Sequence, residues 1–381
     1  MTFEADAASQ GFQDTKAQAV ESALRSLMIQ EEKMLFGGNS SIALGTTPTP
    51  TTALVAGGSL ADASYIVYCV ALTHDGYLRS SVSATGVVQT ISRTNADGTT
   101  DTIKAGAAGK SAAGTTRTTS GSNNSVSATV TAVTGAVAYA WYFGQSGAER
   151  LHSITTINSQ LFTTAAGGSN QLFSALAAGD NSNEGSYSFD GFLYATAFGS
   201  STGAYLSALA TGTAGTGTTL TTDSAGGVAE IETALASFYD NYRVSPDTIW
   251  CNSAQMKKIT SLVIGGGGAP LYRFNSDAKS VGGISGGAQV GSYLNKITQD
   301  LIQVKVHPFC PPGTIMFTSS TIPYPLSGVG NVAQVKLRGR DYMQIEYPLT
   351  TRKYSFGVYS GYGQVLQCYA PFAFGAITNI A

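Results

Sequence analysis

Three histidines and four cysteines are most of what this chain of 381 residues offers for chemistry. His74, His152 and His307 stand far apart. They lack the His-x-His or His-x-x-x-His spacing that would set two imidazoles on one face to hold a metal. Cys69, Cys251, Cys310 and Cys368 are equally dispersed, with no Cys-x-x-Cys pair. They read as small buried hydrophobes kept reduced, not as a zinc site or a disulfide framework. A Ser/His/Asp triad would have to recruit one of these isolated histidines from a distance. Gly109-Lys-Ser111 has the letters that end a phosphate-binding loop. That loop needs a glycine five residues earlier, where the chain has Lys104, and a strand-to-helix setting that these surroundings do not offer. Gly265-Gly-Gly-Gly-Ala-Pro270 lacks the Lys-Ser/Thr that grips phosphate and reads as a hinge. The expectation is no enzyme, no cofactor and no metal.

What remains is charge placed for contact. Arg338-Gly-Arg-Asp341 is not an Arg-Gly-Asp tripeptide, because Arg340 intervenes. Arg338, Arg340, Arg352 and Lys353 cluster on what read as the final strands. On a solvated strand they would contribute little. On an edge facing a neighbouring subunit they would pair with acids such as Glu31, Glu32, Asp341 or Glu346. The candidate contact residues are therefore Glu31, Glu32, Arg338, Arg340, Arg352 and Lys353.

Composition narrows the partners. Only 12% of residues are charged and the net charge is −2, so the surface must be polar through hydroxyls and backbone. Nucleic-acid affinity grows with the number of phosphates neutralised, and this surface neutralises few. No segment is long and apolar enough to span a bilayer, and the start lacks the regions of a signal peptide. The expectation is a soluble chain made in a cytoplasm.

The elements that must carry these residues follow from periodicity. Ala17, Val20, Leu24, Leu27, Met28 and Leu35 line one face of a helix running from about Phe12 to Phe36. Glu21 and Arg25 add a favourable i, i+4 pair, and Gly37-Gly38 supply a left-handed stop. At about 1.5 Å per residue the helix is a strut on the order of 35 Å long. From Thr46 to Gly168 the chain turns to Thr, Ser, Gly and Ala with alternating apolar residues. Tyr65–Leu72 reads as a strand with His74-Asp-Gly76 as its turn. Val87–Arg93 and Thr99–Ile103 flank a hairpin turn at Asn95-Ala-Asp-Gly98. Val126–Val133, Ala136–Phe143 and Ile154–Phe162 complete a β-sandwich of about 120 residues, enough for its own core. The segments Tyr65–Gly76 and Val130–Gly144 resemble fibronectin type III and related immunoglobulin-like modules. Gly199–Gly227 reads as a mobile loop, and Gly282–Gly287 is similar. A helix at Val228–Tyr242 and a second one, capped by Asn252 or Ser253 and running through Val263, bracket a short strand at Thr248–Cys251, and Leu301–His307 and Thr314–Thr318 are further strands. Val332–Ala381 is strand pattern, with a Tyr and Phe ladder suited to core and to large interfaces.

The order of these segments resembles the tailed-phage major capsid proteins of the Hong Kong 97 fold. The resemblance rests on Glu31-Glu-Lys-Met-Leu-Phe-Gly-Gly-Asn39 at the end of the long helix, on Phe189-Asp-Gly-Phe-Leu193, and on Val228–Val263 with Pro246-Asp-Thr-Ile-Trp-Cys-Asn252 at its junction. It rests also on the strand pair Ile302–Phe317 and the long strands Gln334–Thr378. It implies an α+β fold: a spine helix, a peripheral β-sheet and an α/β axial domain, interrupted by an all-β immunoglobulin-like sandwich. Residues 1–45 would hold the end of an extended hairpin and the spine helix, 46–168 the inserted sandwich, 169–330 the axial domain, and 331–381 the C-terminal strands of the peripheral domain.

The function this resemblance implies is that of a bacteriophage major capsid protein, a structural protein of the virion. It would self-assemble as pentamers and hexamers into an icosahedral shell. The shell would enclose double-stranded DNA without sequence-specific binding and meet portal, scaffold or decoration proteins, with no membrane. The inserted module would face outward, either to contact glycans or a host surface or only to reinforce the shell. Family members carry an arm and hairpin before the spine helix. Here Thr2-Phe-Glu-Ala-Asp6 looks like the tail of that hairpin, and assembly from this chain alone is in doubt. Some members form Lys–Asn cross-links in the peripheral sheet; with no Asn between Asn331 and Asn379, none is expected here. An encapsulin-like compartment shell is the alternative of the same fold. A β-sandwich adhesin or carbohydrate-binding protein is the alternative of another class.

Overall fold

The long helix forms where the periodicity places it. In the computed structural model, α1 (Phe3–Ser9) is followed after Gly11 by α2 (Thr15–Gly37). The structure describes residues 3–12, 14–95, 98–121, 123–185, 187–199, 203–212, 215–265, 290–320, 322, 333–337, 342–349, 353–359 and 364–381, several of the late strands by backbone alone. The segment read as the tail of a hairpin is thus helical over Phe3–Ser9. Asp14 caps α2 by accepting the Ala17 amide at 2.9 Å, and Arg25 meets Glu21 at 2.7 Å on an exposed face. The half-buried stripe is Val20, Leu24, Leu27 and Leu35, while Met28 and Ala17 are exposed. The stop is not left-handed: Gly38 has φ −61° and ψ 140°. Glycine is needed at 37 and 38 for close approach. A Cβ on Gly37 would come within 2.5 Å of the His74 side chain, and one on Gly38 would strike the Phe189 carbonyl.

Two small antiparallel sheets follow, built from β1 (Thr51–Val55), β2 (Ser64–Leu72), helix α3 (His74–Arg79), β3 (Thr90–Thr94), β4 (Thr100–Lys104), β5 (Arg117–Thr118), β6 (Ser125–Thr129), β7 (Ala138–Gly144), β8 (Arg150–Thr155) and β9 (Ser159–Phe162). One sheet runs β1-β6-β9 and the other β5-β2-β7-β8; β3 and β4 form a separate hairpin. Val67, Cys69, Trp141, Phe143, Val126, Ala128 and Phe162 fill the space between the sheets. The reverse face of the four-stranded sheet is also covered: Val70, Leu72, Ala140, Tyr142 and Leu151 pack under Val87, Phe173 and Leu176. Burial on both faces is why β2 and β7 read as continuous apolar runs rather than as alternations.

Three readings change here. His74-Asp-Gly76 is not a turn but the start of α3, capped by Thr73 and braced by Arg79 on Asp75 at 2.6 Å. Ile154–Phe162 is two strands, not one. The two-sheet unit also runs past residue 168, because the turn at Phe173–Ala175 covers its outer face and Asn181 bonds to Ala107.

The third sheet is mixed. β10 (Tyr205–Ala208), α4 (Ala229–Tyr242), β11 (Thr248–Cys251), α5 (Ser253–Gly265), β12 (Ser292–Leu294), β13 (Leu301–Val306) and β14 (Ile315–Thr318) supply most of it. β15 (Ala333–Leu337) pairs with β18 (Gln364–Cys368), and β16 (Met343–Leu349) with β17 (Lys353–Tyr359), both antiparallel. β19 (Gly375–Thr378) does not join those terminal pairs. It enters the third sheet, whose order is β10-β19-β14-β11-β13-β12, and so departs from the expected grouping of 331–381. Its parallel pairing with β10 also makes an ordered strand of part of Gly199–Gly227, the stretch read as a loop.

α4 and α5 cover one face of this sheet through Ile231, Leu235, Phe238, Met256 and Ile259. The other face receives Phe36 from the end of α2, and Leu193, Tyr194 and Phe198 from the π-helical turn at Leu193–Ala197. α2 then runs alongside β17. The fold is mixed α+β with several separate sheets.

Candidate functional site

Several long-range side-chain contacts converge on the last turn of α2. Phe36 stacks on His307 with ring centroids 4.3 Å apart, and Trp250 meets both rings edge-on. Lys33 lies over the Phe309 ring and Lys305 over the Trp250 ring, at 5.2 and 5.5 Å, as cation–π contacts. The Phe309 amide donates to His307 Nδ1 at 3.2 Å. The imidazole proton therefore sits on Nε2, which donates to Glu32 Oε1 at 2.8 Å.

Next to this collar, two linkers run together. Residues 38–47 leave α2 for the two-sheet unit, and residues 179–191 return from it. The Asp190 carboxylate accepts from the Ser40 and Ser41 amides at 2.8 and 3.1 Å, and from both hydroxyls at 3.1 and 2.6 Å. Asn39 bonds Ile42 and the Ser182 carbonyl. Leu44 and Gly45 donate to Ser182 Oγ and Asp180, both at 2.8 Å. The Gly191 amide donates to the Gly38 carbonyl at 2.9 Å, and a Cβ on Gly191 would strike the Met34 carbonyl. The two linkers thus form one hydrogen-bonded strap, and both ends of the two-sheet unit leave from the same place.

The expected contact residues divide. Glu32 is engaged within the chain by His307, and Glu31 accepts the Tyr342 hydroxyl. Arg338, Arg340 and Arg352 lie outside the described residues, as does Asp341. Lys353 opens β17 opposite Leu349, and only its backbone is described. Gly265 ends α5, while Gly266–Pro270 and Gly282–Gly287 fall outside the described residues. His307, Tyr342 and Asp190 were not picked out from sequence as partners of the helix end. The only signal was indirect: Gly37-Gly-Asn39 and Phe189-Asp-Gly191 stood out as motifs, and these two stretches meet.

Cys69, Cys251 and Cys310 are buried and unbridged. Burial pushes the Cys251 thiol up to about 11, far from a nucleophile poised at neutral pH. Among the described residues no group of three or more His, Cys, Asp or Glu could hold a metal, and no helix is long and apolar enough to cross a membrane.

Among the exposed apolar side chains are Phe12 between the two N-terminal helices, Met28 and Ile29 on α2, and Leu294, Ile297 and Leu301 at the β12–β13 edge, with Leu301 69% exposed. Comparison with known proteins adds no relative: no protein-family model matches the chain, and no curated protein matches it.

Proposed function

We propose that this chain is a major capsid protein of a tailed bacteriophage with the Hong Kong 97-type fold, and that residues between the linkers form an inserted immunoglobulin-like domain on the outside of the shell. The observation that carries the reading is α2. It is 23 residues long, yet of these only Phe36 and Gly37 are buried. A helix of this length gains most of its stability from packing, so an exposed one with Met28 and Ile29 uncovered fits a protein whose neighbours supply the missing contacts. The order of parts supports the same reading: strut, accessory β unit, α/β sheet, then strand pairs, of which β17 returns to lie beside the strut.

In this reading, copies of the chain gather as pentamers and hexamers around the six-stranded sheet. The shell encloses double-stranded DNA without reading its sequence, which fits a weakly charged surface. The portal, scaffold and decoration proteins are its other partners, and the virion is its location. The two-sheet unit, attached by one strap, can project outward toward glycans or a host surface. The test is negative-stain microscopy of the purified chain, alone and co-expressed with its neighbouring genes. Closed shells of uniform size are expected from at least one preparation. A monomer that forms no particles in either would sink the proposal.

A further inference from the structure

One side chain at the strap takes part in none of the hydrogen bonds or ring contacts described so far. His74 opens α3 and is 1% exposed. Gly37 of α2 lies against its ring, close enough that a Cβ there would reach 2.5 Å. Its backbone amide donates to the Tyr194 hydroxyl at 3.3 Å, which in turn donates to the Gly135 carbonyl at 2.6 Å. His74 thus sits where the end of α2, the two-sheet unit and the π-helical turn that packs on the six-stranded sheet meet: its ring lies against α2 and its backbone is tied to the turn. Neither ring nitrogen makes a well-formed hydrogen bond among the described residues; the Phe309 backbone is the one hydrogen-bonding group that acts on the ring. A buried polar ring so weakly partnered is less stable there than an apolar ring of the same shape. The ring lines a cleft of about 60 Å³ between the helix end, α3, β4 and the returning linker.

We propose that this junction is an acid-sensitive clamp, in which protonation of His74 loosens the two-sheet unit from α2 and the six-stranded sheet. The proposal rests on the junction alone and stands whether or not the chain builds a shell. The charged groups around the ring decide the sign. From α2 comes Lys33, whose charge repels a protonated ring. From α3 come Asp75 and Arg79, which neutralise each other at 2.6 Å. From β4 comes Lys104, whose amide donates to Glu184 of the returning linker at 2.5 Å. Tyr187 of that linker also lines the cleft, and Tyr194 is held neutral by its burial.

Burial first, then Lys33, pull the His74 value down from 6.5 to about 4, with the nearby Phe309 backbone opposing. A released ring in water regains the ordinary value. The open form therefore binds one more proton between pH 6.5 and about 4. Across that window the opening equilibrium rises as pH falls, by up to about tenfold per unit; above it the equilibrium is flat. Burial holds Asp75 above the usual carboxylate range, so Asp75 takes its proton first in the closed form and works against release at the acid end.

Hydrogen exchange read by mass spectrometry on the full chain tests this at the amides of residues 38–47 and 179–191. After correction for intrinsic rates, exchange of the strap should rise on the order of 10- to 100-fold between pH 6.5 and 4.5. His74→Leu should remove that rise, while His152→Phe and His307→Gln should keep it. A flat profile in the unaltered chain, or a rise that survives His74→Leu, overturns the clamp. If His74→Leu does not fold, Lys33→Met decides. It leaves the ring in place but removes a repelling charge, so the rise should shrink; an unchanged profile overturns the proposal.

Discussion

The two-sheet unit and helix α2 solve the burial problem in opposite ways. The sheets close on themselves. Trp141, Phe143, Val67 and Phe162 fill the space between them, and Tyr142, Leu151 and Phe173 cover the outer face of one. Among the described residues, the members of these two clusters all lie within 38–191. α2 has no such enclosure. It is anchored at its last turn by Phe36, His307 and Glu32, runs beside β17, and leaves Met28 half exposed at 51%. One region carries its stability within itself, and the other shows where the rest of a stable arrangement must come from. The strap between them, with Asp190 at its centre, decides whether they behave as one body or two.

Removing Trp141 should have the largest effect. It is fully buried, and its Nε1 donates to Thr155 Oγ1 at 2.8 Å. Trp141→Ala should destabilise the two-sheet unit by ~3–5 kcal/mol. Denaturant unfolding followed in parallel by tyrosine fluorescence and by exchange of α4 and α5 separates two outcomes. A self-contained unit loses its own transition while α4 and α5 keep their protection. Joint loss of both would show that the strap couples the regions and would break the contrast drawn above.

Strap substitutions come next. Gly191→Ala puts a Cβ against the Met34 carbonyl, a backbone atom that cannot swing away. Overpacking of this kind costs ~1–3 kcal/mol. Asp190→Ala leaves the Ser40 and Ser41 amides without their acceptor and should cost a similar ~1–3 kcal/mol. Both losses should appear as faster cleavage of residues 38–47 and 179–191 by added protease, with the melting of the two sheets themselves little changed. Equal loosening everywhere would mean that the strap is not a separate element.

How much of this could be read beforehand follows from the range of each interaction. α2 and α4 were legible because their periodicity is local, and β2 and β7 because double burial leaves long apolar runs. α3 was not legible: Asp75-Gly76 has the letters of a turn, and the helix forms because Thr73 caps it while Gly76 lets the Gly106 backbone approach. β10 is a strand only because β19 lies beside it, 170 residues later in register. The same distance hid the contacts of the helix end. Glu32 looked free to meet a neighbour because nothing in its own segment points to His307. Motif pairs such as Gly38 and Gly191 were visible as oddities of composition, but the close approach that demands them exists only in three dimensions.

The smallest effect on stability is expected where the proposed function predicts the largest effect on assembly. Met28 and Ile29 are exposed on α2, and Leu301 is exposed on the β12–β13 edge. Surface substitutions away from caps and cores usually stay within about 0.5 kcal/mol. Met28→Lys with Ile29→Lys should therefore leave the unfolding midpoint of the isolated chain nearly unchanged. If neighbours cover this face in a shell, the same pair of lysines places two charges in a desolvated contact, and particle yield by sedimentation should fall at least tenfold. Leu301→Lys asks the same of the sheet edge. Shells that form at full yield with all three lysines present would mean that these faces stay in water, and the contrast between a closed core and an open strut would then describe one chain without explaining its assembly.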